Sequence, residues 1–276
     1  MPDMNTLTPA HSSTLPQPAR HWPLALALWL LLFLLALGLG ELPALKALGQ
    51  AAQAGSTAHG HAPIHLPVHP YADTRSWLGV PFAADTLSNL PFVLLALLGA
   101  WRLRRHPLQG VARSAAWVFC AGLLLTGLGS FVFHLAPSPG SLVLDRLGMA
   151  VAFAGLLGLA SATRLHEAAG RRLLHLYLPL ALLAAALPAL NGNVWPWAVA
   201  QYGGVLWLLG LCLLPARGLQ LGLGWVLLGY ALAKLCEGLD AAIFAASAEW
   251  VSGHTLKHLA AAAACGPVLA AFRNKT

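Results

Sequence analysis

Long blocks of apolar residues recur along this chain and constrain its fold more than any other sequence feature. Eight blocks have about the length, roughly 20 residues, that crosses the hydrocarbon core of a bilayer. They lie at residues 22–40, 83–102, 114–134, 142–163, 173–190, 195–214, 221–246 and 252–272. Because most are about 20 residues long and rich in Leu and Ala, they predict transmembrane helices rather than the strands of a barrel.

The composition indicates the same lipid environment. Hydrophobic residues make up 58% of the 276 residues and charged residues only 9%, whereas about a quarter of a soluble domain is charged. The formal net charge of +7 does not indicate a nucleic-acid partner, because the arginines lie in short clusters between apolar blocks. The four cysteines lie inside apolar blocks without a CxxC pair, so they predict no disulfide framework.

Positive charge predicts the orientation of these spans, since loops rich in Lys and Arg stay in the cytoplasm. One side holds Arg20, Arg102, Arg104, Arg105, Arg113, Arg164, Arg171, Arg172, Arg217, Arg273 and Lys275, and the other holds only Lys46, Arg75 and Arg146. Both tails, 1–21 and 273–276, are therefore expected inside. We predict an all-α integral membrane protein with a seven-transmembrane-helix core at 81–272 and an additional N-terminal helix at 22–40. The Ala, Leu and Gly content and the short loops suggest a bacterial cytoplasmic membrane.

The residues before the predicted core allow two further interpretations. The first block resembles a signal peptide with Ala-Gln-Ala before Gly55 as its cleavage site. We favour an uncleaved helix, because the block is long and that site lies far downstream. The external segment 41–80 contains His59, His61, His65 and His69. It either scavenges a metal ion or is a polar loop that happens to contain histidine.

Three groups of polar residues lie inside the predicted spans, where ionisable side chains are costly and mark functional sites. The third span ends with Ser130 and His134, the fourth begins with Asp145, and the last begins with His254 and His258. Ser130 and His134 are four residues apart, as are the two histidines of the last span, so each pair shares a helix face. The alternating topology brings all three groups into the outer half of the membrane.

These residues predict a metal site with hydrolytic chemistry. A single intramembrane His usually bonds to another helix, but two imidazoles at i and i+4 bind one zinc ion in HExxH helices. With His134 as third ligand, a tetrahedral Zn²⁺ keeps one position for water and lowers its pKa to about 7. The HTLKH segment lacks the Glu of that motif, so we assign Asp145 as general base and later proton donor. Ser130 is expected to hydrogen-bond the water or the oxyanion. These parts suffice to hydrolyse an acyl bond.

This constellation resembles the alkaline ceramidase family and its wider superfamily of membrane hydrolases, which includes the adiponectin and progestin receptors. The family pattern is Ser-x-x-x-His, then Asp near the start of the next helix, then His-x-x-x-His in the last of seven helices. Residues 70–272 carry this pattern here. The resemblance implies zinc bound by His134, His254 and His258, and hydrolysis of the amide bond of a ceramide-like or related acylated lipid. The expected partner is therefore a membrane lipid substrate.

Other stretches carry the same resemblance. Asp85-Thr-Leu-Ser88-Asn89 resembles the family's Asn-Thr-x-Ser-Asn stretch, with Asp85 in place of the first Asn. Asp85 and Asn89 are four residues apart. They either orient a zinc-bound His without themselves binding the metal, or form polar contacts that hold two helices together. The segment from Tyr71 to Arg75 is similar to bacterial ceramidase-like proteins.

The penultimate span and two departures complete the comparison with that family. Lys234, Glu237 and Asp240 also look like the bacterial proteins, and their spacing predicts one helix face with a buried, mutually paired set. The Asp-Trp-x-Glu-x-Asn run that binds calcium in eukaryotic ceramidases is missing, which argues against a calcium site. Gly148 replaces the Pro of the family's Asp-x-x-Pro-Met, a change that we expect to be tolerated.

Two other functions compete with a hydrolase. A receptor-like or lipid-sensing member of the same superfamily would keep the zinc without turnover. A haem or metal-transport membrane protein would use the same histidines in another way. Transport favours carboxylates along a path through both leaflets, whereas the inner halves of these spans are almost wholly apolar.

Overall fold

The structure, a computed structural model, describes residues 21–55 and 71–273. Within these ranges the regular structure is helical apart from one isolated bridge between Trp77 and Val80. The all-α prediction is therefore confirmed for this part of the chain. Residues 1–20 and 274–276 of the predicted tails 1–21 and 273–276 lie outside the described residues, as do His59, His61, His65 and His69.

The helices follow the predicted apolar blocks closely. They are α1 (Trp22–Leu39), α2 (Pro43–Gly55), α3 (Ala83–Leu87), α4 (Leu90–Arg105), α5 (Gly110–Leu135), α6 (Pro139–Arg164), α7 (Glu167–Leu190), α8 (Trp195–Cys212), α9 (Leu223–Gly238), α10 (Asp240–Ala246) and α11 (Gly253–Ala271). Five spans of the described chain are long and apolar enough to cross a membrane, namely α1, α3 with α4, α5, α6 and α7. Their outward faces expose large apolar side chains such as Leu31, Leu94 and Leu128. Such a surface indicates a membrane-embedded protein.

Three segments differ from the expected pattern, the first being the block 83–102, which divides into α3 and α4 at Ser88 and Asn89. The segment 41–80 is not a loop throughout, because α2 forms there and packs on the turn between α7 and α8. The Trp195 indole N–H donates to the Leu45 carbonyl at 2.8 Å, and Pro43 suits the first position of a helix. The block 221–246 is not one helix, because α9 ends at Gly238 and α10 starts at Asp240.

Glycines bring α5 and α6 into backbone contact. A Cβ atom on Gly148 would lie 2.3 Å from the Thr126 nitrogen, and one on Gly155 would lie 2.3 Å from the Phe119 nitrogen. Helices in membranes approach closely where such small residues meet. Gly148 is therefore required by this helix contact. The close packing sets the last turn of α5 beside the first turns of α6.

Candidate metal centre

Three histidines converge at one end of the helical bundle. His134 lies in the last turn of α5, and His254 and His258 lie in the first two turns of α11. Their exposed fractions are only 1%, 1% and 4%. One ring nitrogen from each lies within 4.8 Å of the others. The predicted ligands therefore form a buried triad that could bind a metal ion.

The spacing within the triad fits a small divalent ion. The Nε2 atoms of His134 and His254 are 3.3 Å apart. Two imidazole nitrogens at about 2.0–2.1 Å from a tetrahedral Zn²⁺ would be about 3.3–3.4 Å apart. The rings meet at interplanar angles of 63°, 67° and 80°, so their edges converge instead of stacking. Distance and orientation are both compatible with zinc.

Ser88 determines which nitrogen of His258 is available. The Ser88 Oγ lies 2.7 Å from His258 Nδ1 and 3.0 Å from the Asp85 carbonyl oxygen. A hydroxyl has one hydrogen and a carbonyl oxygen only accepts, so Ser88 donates to the carbonyl and accepts from the Nδ1–H of His258. His258 then carries its proton on Nδ1, which leaves the Nε2 lone pair for a metal.

The Asp85 side chain stabilises the start of α11, the helix that carries His254 and His258. Its Oδ1 accepts hydrogen bonds from Thr255 Oγ1 at 2.6 Å and from Ser252 Oγ at 3.2 Å. Ser252 is the N-cap of α11, and its side chain accepts from the Thr255 N–H. Asn89 is fully buried and donates to the Asp85 carbonyl at 2.9 Å, which stiffens the turn between α3 and α4. The Asp85 carboxylate thereby connects α3 to the start of α11.

Asp240 connects the loop before α3 to α11. Its Oδ1 accepts the backbone N–H of His254 at 2.7 Å, and its Oδ2 accepts that of Ala72 at 2.9 Å. The Tyr71 ring stacks on His254 with centroids 3.4 Å apart. Burial raises the pKa of Tyr71, so the phenol stays protonated. Asp240 thus holds both His254 and the aromatic ring that covers it.

An ion cluster lies beside the triad, and the expectation for it was partly wrong. Glu237 pairs with Lys234 at 2.5 Å, as predicted, and also with Lys257 at 2.7 Å. Asp240 does not belong to this set, because the helix breaks at Leu239 and its carboxylate binds backbone N–H groups instead. Lys257 lies between the two histidines of α11, and its Nζ is 6.0 Å from the centre of the Tyr71 ring.

Asp145 lies among polar groups next to the triad. Its carboxylate is within hydrogen-bonding reach of Ser130 and interacts electrostatically with Lys257 and Arg146. Ser130 is 3% exposed and lies one turn before His134 on α5. The buried guanidinium of Arg146 faces the Trp197 ring at 6.0 Å. Both candidate catalytic residues therefore lie at the same end of the bundle as the metal ligands.

Sequence reasoning misses two residues that organise this site. Ser88 is visible only within the Asp-Thr-Leu-Ser-Asn stretch, where nothing indicates that it reaches His258. Asp240 has the spacing of an ion-pair partner, and its true role depends on a helix break that apolar periodicity does not reveal. Comparisons of the chain with protein families, with curated proteins and with solved structures found no match.

Proposed function

We propose that this chain is an intramembrane zinc-dependent hydrolase that cleaves the amide bond of a ceramide-like or related acylated lipid. The proposal includes a core of seven transmembrane helices, with α1 as an additional span. It also carries over the resemblance to the alkaline ceramidase family. The observation that carries it is the convergence of three buried imidazoles beside Asp145 and Ser130.

The donor set supports zinc as the metal. His134, His254 and His258 would hold it, and three neutral nitrogens suit Zn²⁺, which leaves a position for water in catalytic sites. Ser88 keeps His258 in the tautomer that such a role requires. When bound, the ion would activate water near neutral pH and polarise the substrate carbonyl.

The side chains near the triad supply the proton transfers. The Asp145 carboxylate accepts a proton from the attacking water as the water oxygen bonds to the acyl carbon. The same carboxyl then gives that proton to the amide nitrogen as the carbon–nitrogen bond breaks, so a fatty acid and an amine leave. Ser130 orients the Asp145 carboxylate from within hydrogen-bonding reach. The Lys257 ammonium interacts electrostatically with the same carboxylate.

The surroundings of the site favour a lipid substrate. The triad lies between the last turn of α5 and the first turns of α11, and α5 belongs to the candidate spans. Large apolar side chains on the outside of these helices, such as Leu128 and Val132 of α5, are exposed. A lipid in the bilayer can therefore bring its acyl carbon to the triad laterally while its polar head stays near the helix ends.

The decisive experiment combines metal analysis with product detection on the purified protein. We expect about one zinc per chain, lost in His254→Ala, and release of fatty acid from a ceramide substrate. Asp145→Asn should keep the metal and lose about 10²–10⁴-fold in rate, the range of general acid–base catalysis. Zinc without turnover above the Asp145→Asn background would contradict the enzyme and favour the lipid-sensing alternative. A Soret band in the purified protein would instead indicate haem.

A further inference from the structure

The end of the bundle opposite the triad contains a basic groove that the proposed hydrolase does not use. The groove consists of two adjoining cavities of about 560 and 410 Å³ that share Gln220. Arg164, at the end of α6, lines the first cavity together with the start of α9. Arg273 lines the second cavity together with the end of α11. The ends of α6 and α11, the start of α9 and the loop before α9 therefore line one open groove.

The charge in this groove is not balanced by acidic groups. No carboxylate lines either cavity. Arg102, at the end of α4, lies close enough to Arg273 for mutual repulsion. Among the described residues, none of Arg102, Arg164 and Arg273 forms an ion pair with a carboxylate. An anion bound here would relieve the repulsion between like charges.

Two of these arginines also keep unused donors. The Nε atoms of Arg102 and Arg164 are buried and have no hydrogen-bond partner within the described chain. Arg164 is held in place because its Nη1 donates to the Leu214 carbonyl. A buried N–H without a partner costs free energy, and a phosphate oxygen is the acceptor that guanidinium groups bind most strongly. Arg164 and Arg273, which line the groove, therefore give it the charge and the guanidinium donors of a phosphate site.

An apolar surface leads away from this groove. Trp225 and Leu228 line the first cavity, lie three residues apart on α9, and are 70% and 58% exposed. A ligand that fills the groove and covers these side chains has an anionic head and an apolar tail. Basic pockets between membrane helices bind anionic lipid headgroups in this way. We propose that the groove binds the phosphate of an anionic phospholipid whose acyl chains lie along Trp225 and Leu228.

Lipid binding to the purified protein in detergent tests this assignment by native mass spectrometry. The probes are phosphatidylglycerol, phosphatidylcholine with the same acyl chains, and inorganic phosphate as competitor. The variant Arg164→Gln/Arg273→Gln should bind phosphatidylglycerol about 25-fold more weakly, since each arginine near a lipid headgroup contributes about fivefold. The control Arg104→Gln/Arg171→Gln removes two exposed arginines outside both cavities and should change binding less than about twofold.

Each result decides the proposal. Preference for phosphatidylglycerol, lost in the first variant and kept in the control, supports it. Equal binding of the two lipids, or equal losses in the two double variants, would overturn it. Displacement by millimolar phosphate without a preference for phosphatidylglycerol would assign the groove to a soluble phosphate compound instead. If the double variant does not fold, Arg273→Gln alone tests the same point, because this exposed residue lies beyond the last turn of α11.

Discussion

The Ser88 hydroxyl fixes the chemical state of one ligand in the triad. It accepts from His258 Nδ1 and donates to a carbonyl oxygen, so the Nε2 of His258 is left without a proton. A hydroxyl that is buried at 7% exposure exchanges little with water. The proton arrangement of His258 is therefore built into the fold before any metal binds.

Ser88→Ala should weaken metal binding without unfolding the protein. Loss of the partner leaves the imidazole free to rotate and to change tautomer, and removal of such a contact typically costs 10–100-fold in metal affinity. Competition between the purified protein and a chromophoric zinc chelator measures this change. Ser161→Ala is the matched control. Ser161 lies on the half of α6 away from the triad, and its hydroxyl accepts a hydrogen bond from the indole N–H of Trp207 on α8. Equal affinities for both variants and the wild type would contradict the role of Ser88.

The contact between α5 and α6 determines the geometry at the scale of the helices. It holds Ser130 and His134 on one helix against Asp145 on the other. The Cβ of an alanine at Gly148 would lie 2.3 Å from the Thr126 nitrogen and 2.5 Å from the Leu125 carbonyl carbon. These are backbone atoms, so the two helices must separate to admit a methyl group.

Gly148→Ala should therefore lower both the melting temperature and the zinc content of the purified protein. Overpacking of this kind typically costs about 1–3 kcal/mol of stability. Gly210→Ala on α8 is the control, because a Cβ there has no atom within 4 Å. This variant should melt at or slightly above the wild-type temperature, since Ala is the better helix former. A wild-type melting temperature and metal content for Gly148→Ala would show that the helices are not in backbone contact.

Asp240 acts at the break between α9 and α10 and connects two elements. Asp240→Ala would leave the N–H groups of His254 and Ala72 without their acceptor, which costs about 1–3 kcal/mol per buried group. We expect weaker zinc binding and a change in the near-ultraviolet circular dichroism of Tyr71, which stacks on His254. Glu249→Ala, at an exposed acidic residue of the turn before α11, should alter neither. A loss of zinc affinity in both variants would show that Asp240 acts through its negative charge and not through its two backbone hydrogen bonds.

The sequence predicts which helix ends meet at the triad, but it does not predict the break at Leu239 or the contact between Ser88 and His258. The i, i+4 spacing of His254 and His258, and the short turn that joins α5 to α6, predict which helix ends meet, because both follow from helix geometry. Hydropathy alone does not predict the break at Leu239, since apolar residues continue to Ala246 beyond the charged residues Lys234, Glu237 and Asp240. The contact between Ser88 and His258 joins residues that are 170 positions apart. Only the packed bundle sets such a distance.

At the scale of the whole molecule, the two ends of the bundle have different chemistry. One end combines the triad with carboxylates at Asp85, Asp145 and Asp240, whereas the other carries the arginines of the groove. Since basic residues are retained in the cytoplasm, the groove should face the cytoplasm and the triad the opposite side. A lipid substrate would then come from the outer leaflet.

Cysteine labelling of intact expressing cells tests this orientation. Trp250→Cys replaces a residue that is 83% exposed in the turn before α11, at the triad end, and Arg104→Cys replaces an exposed residue at the groove end. A membrane-impermeant maleimide should label position 250 in intact cells and position 104 only after lysis, with the wild type as the blank for the four native cysteines. Each variant must keep its zinc, so that labelling reports a folded protein. Labelling of position 104 in intact cells would show that the protein has the opposite orientation. The proposed hydrolase would then take its lipid from the cytoplasmic leaflet.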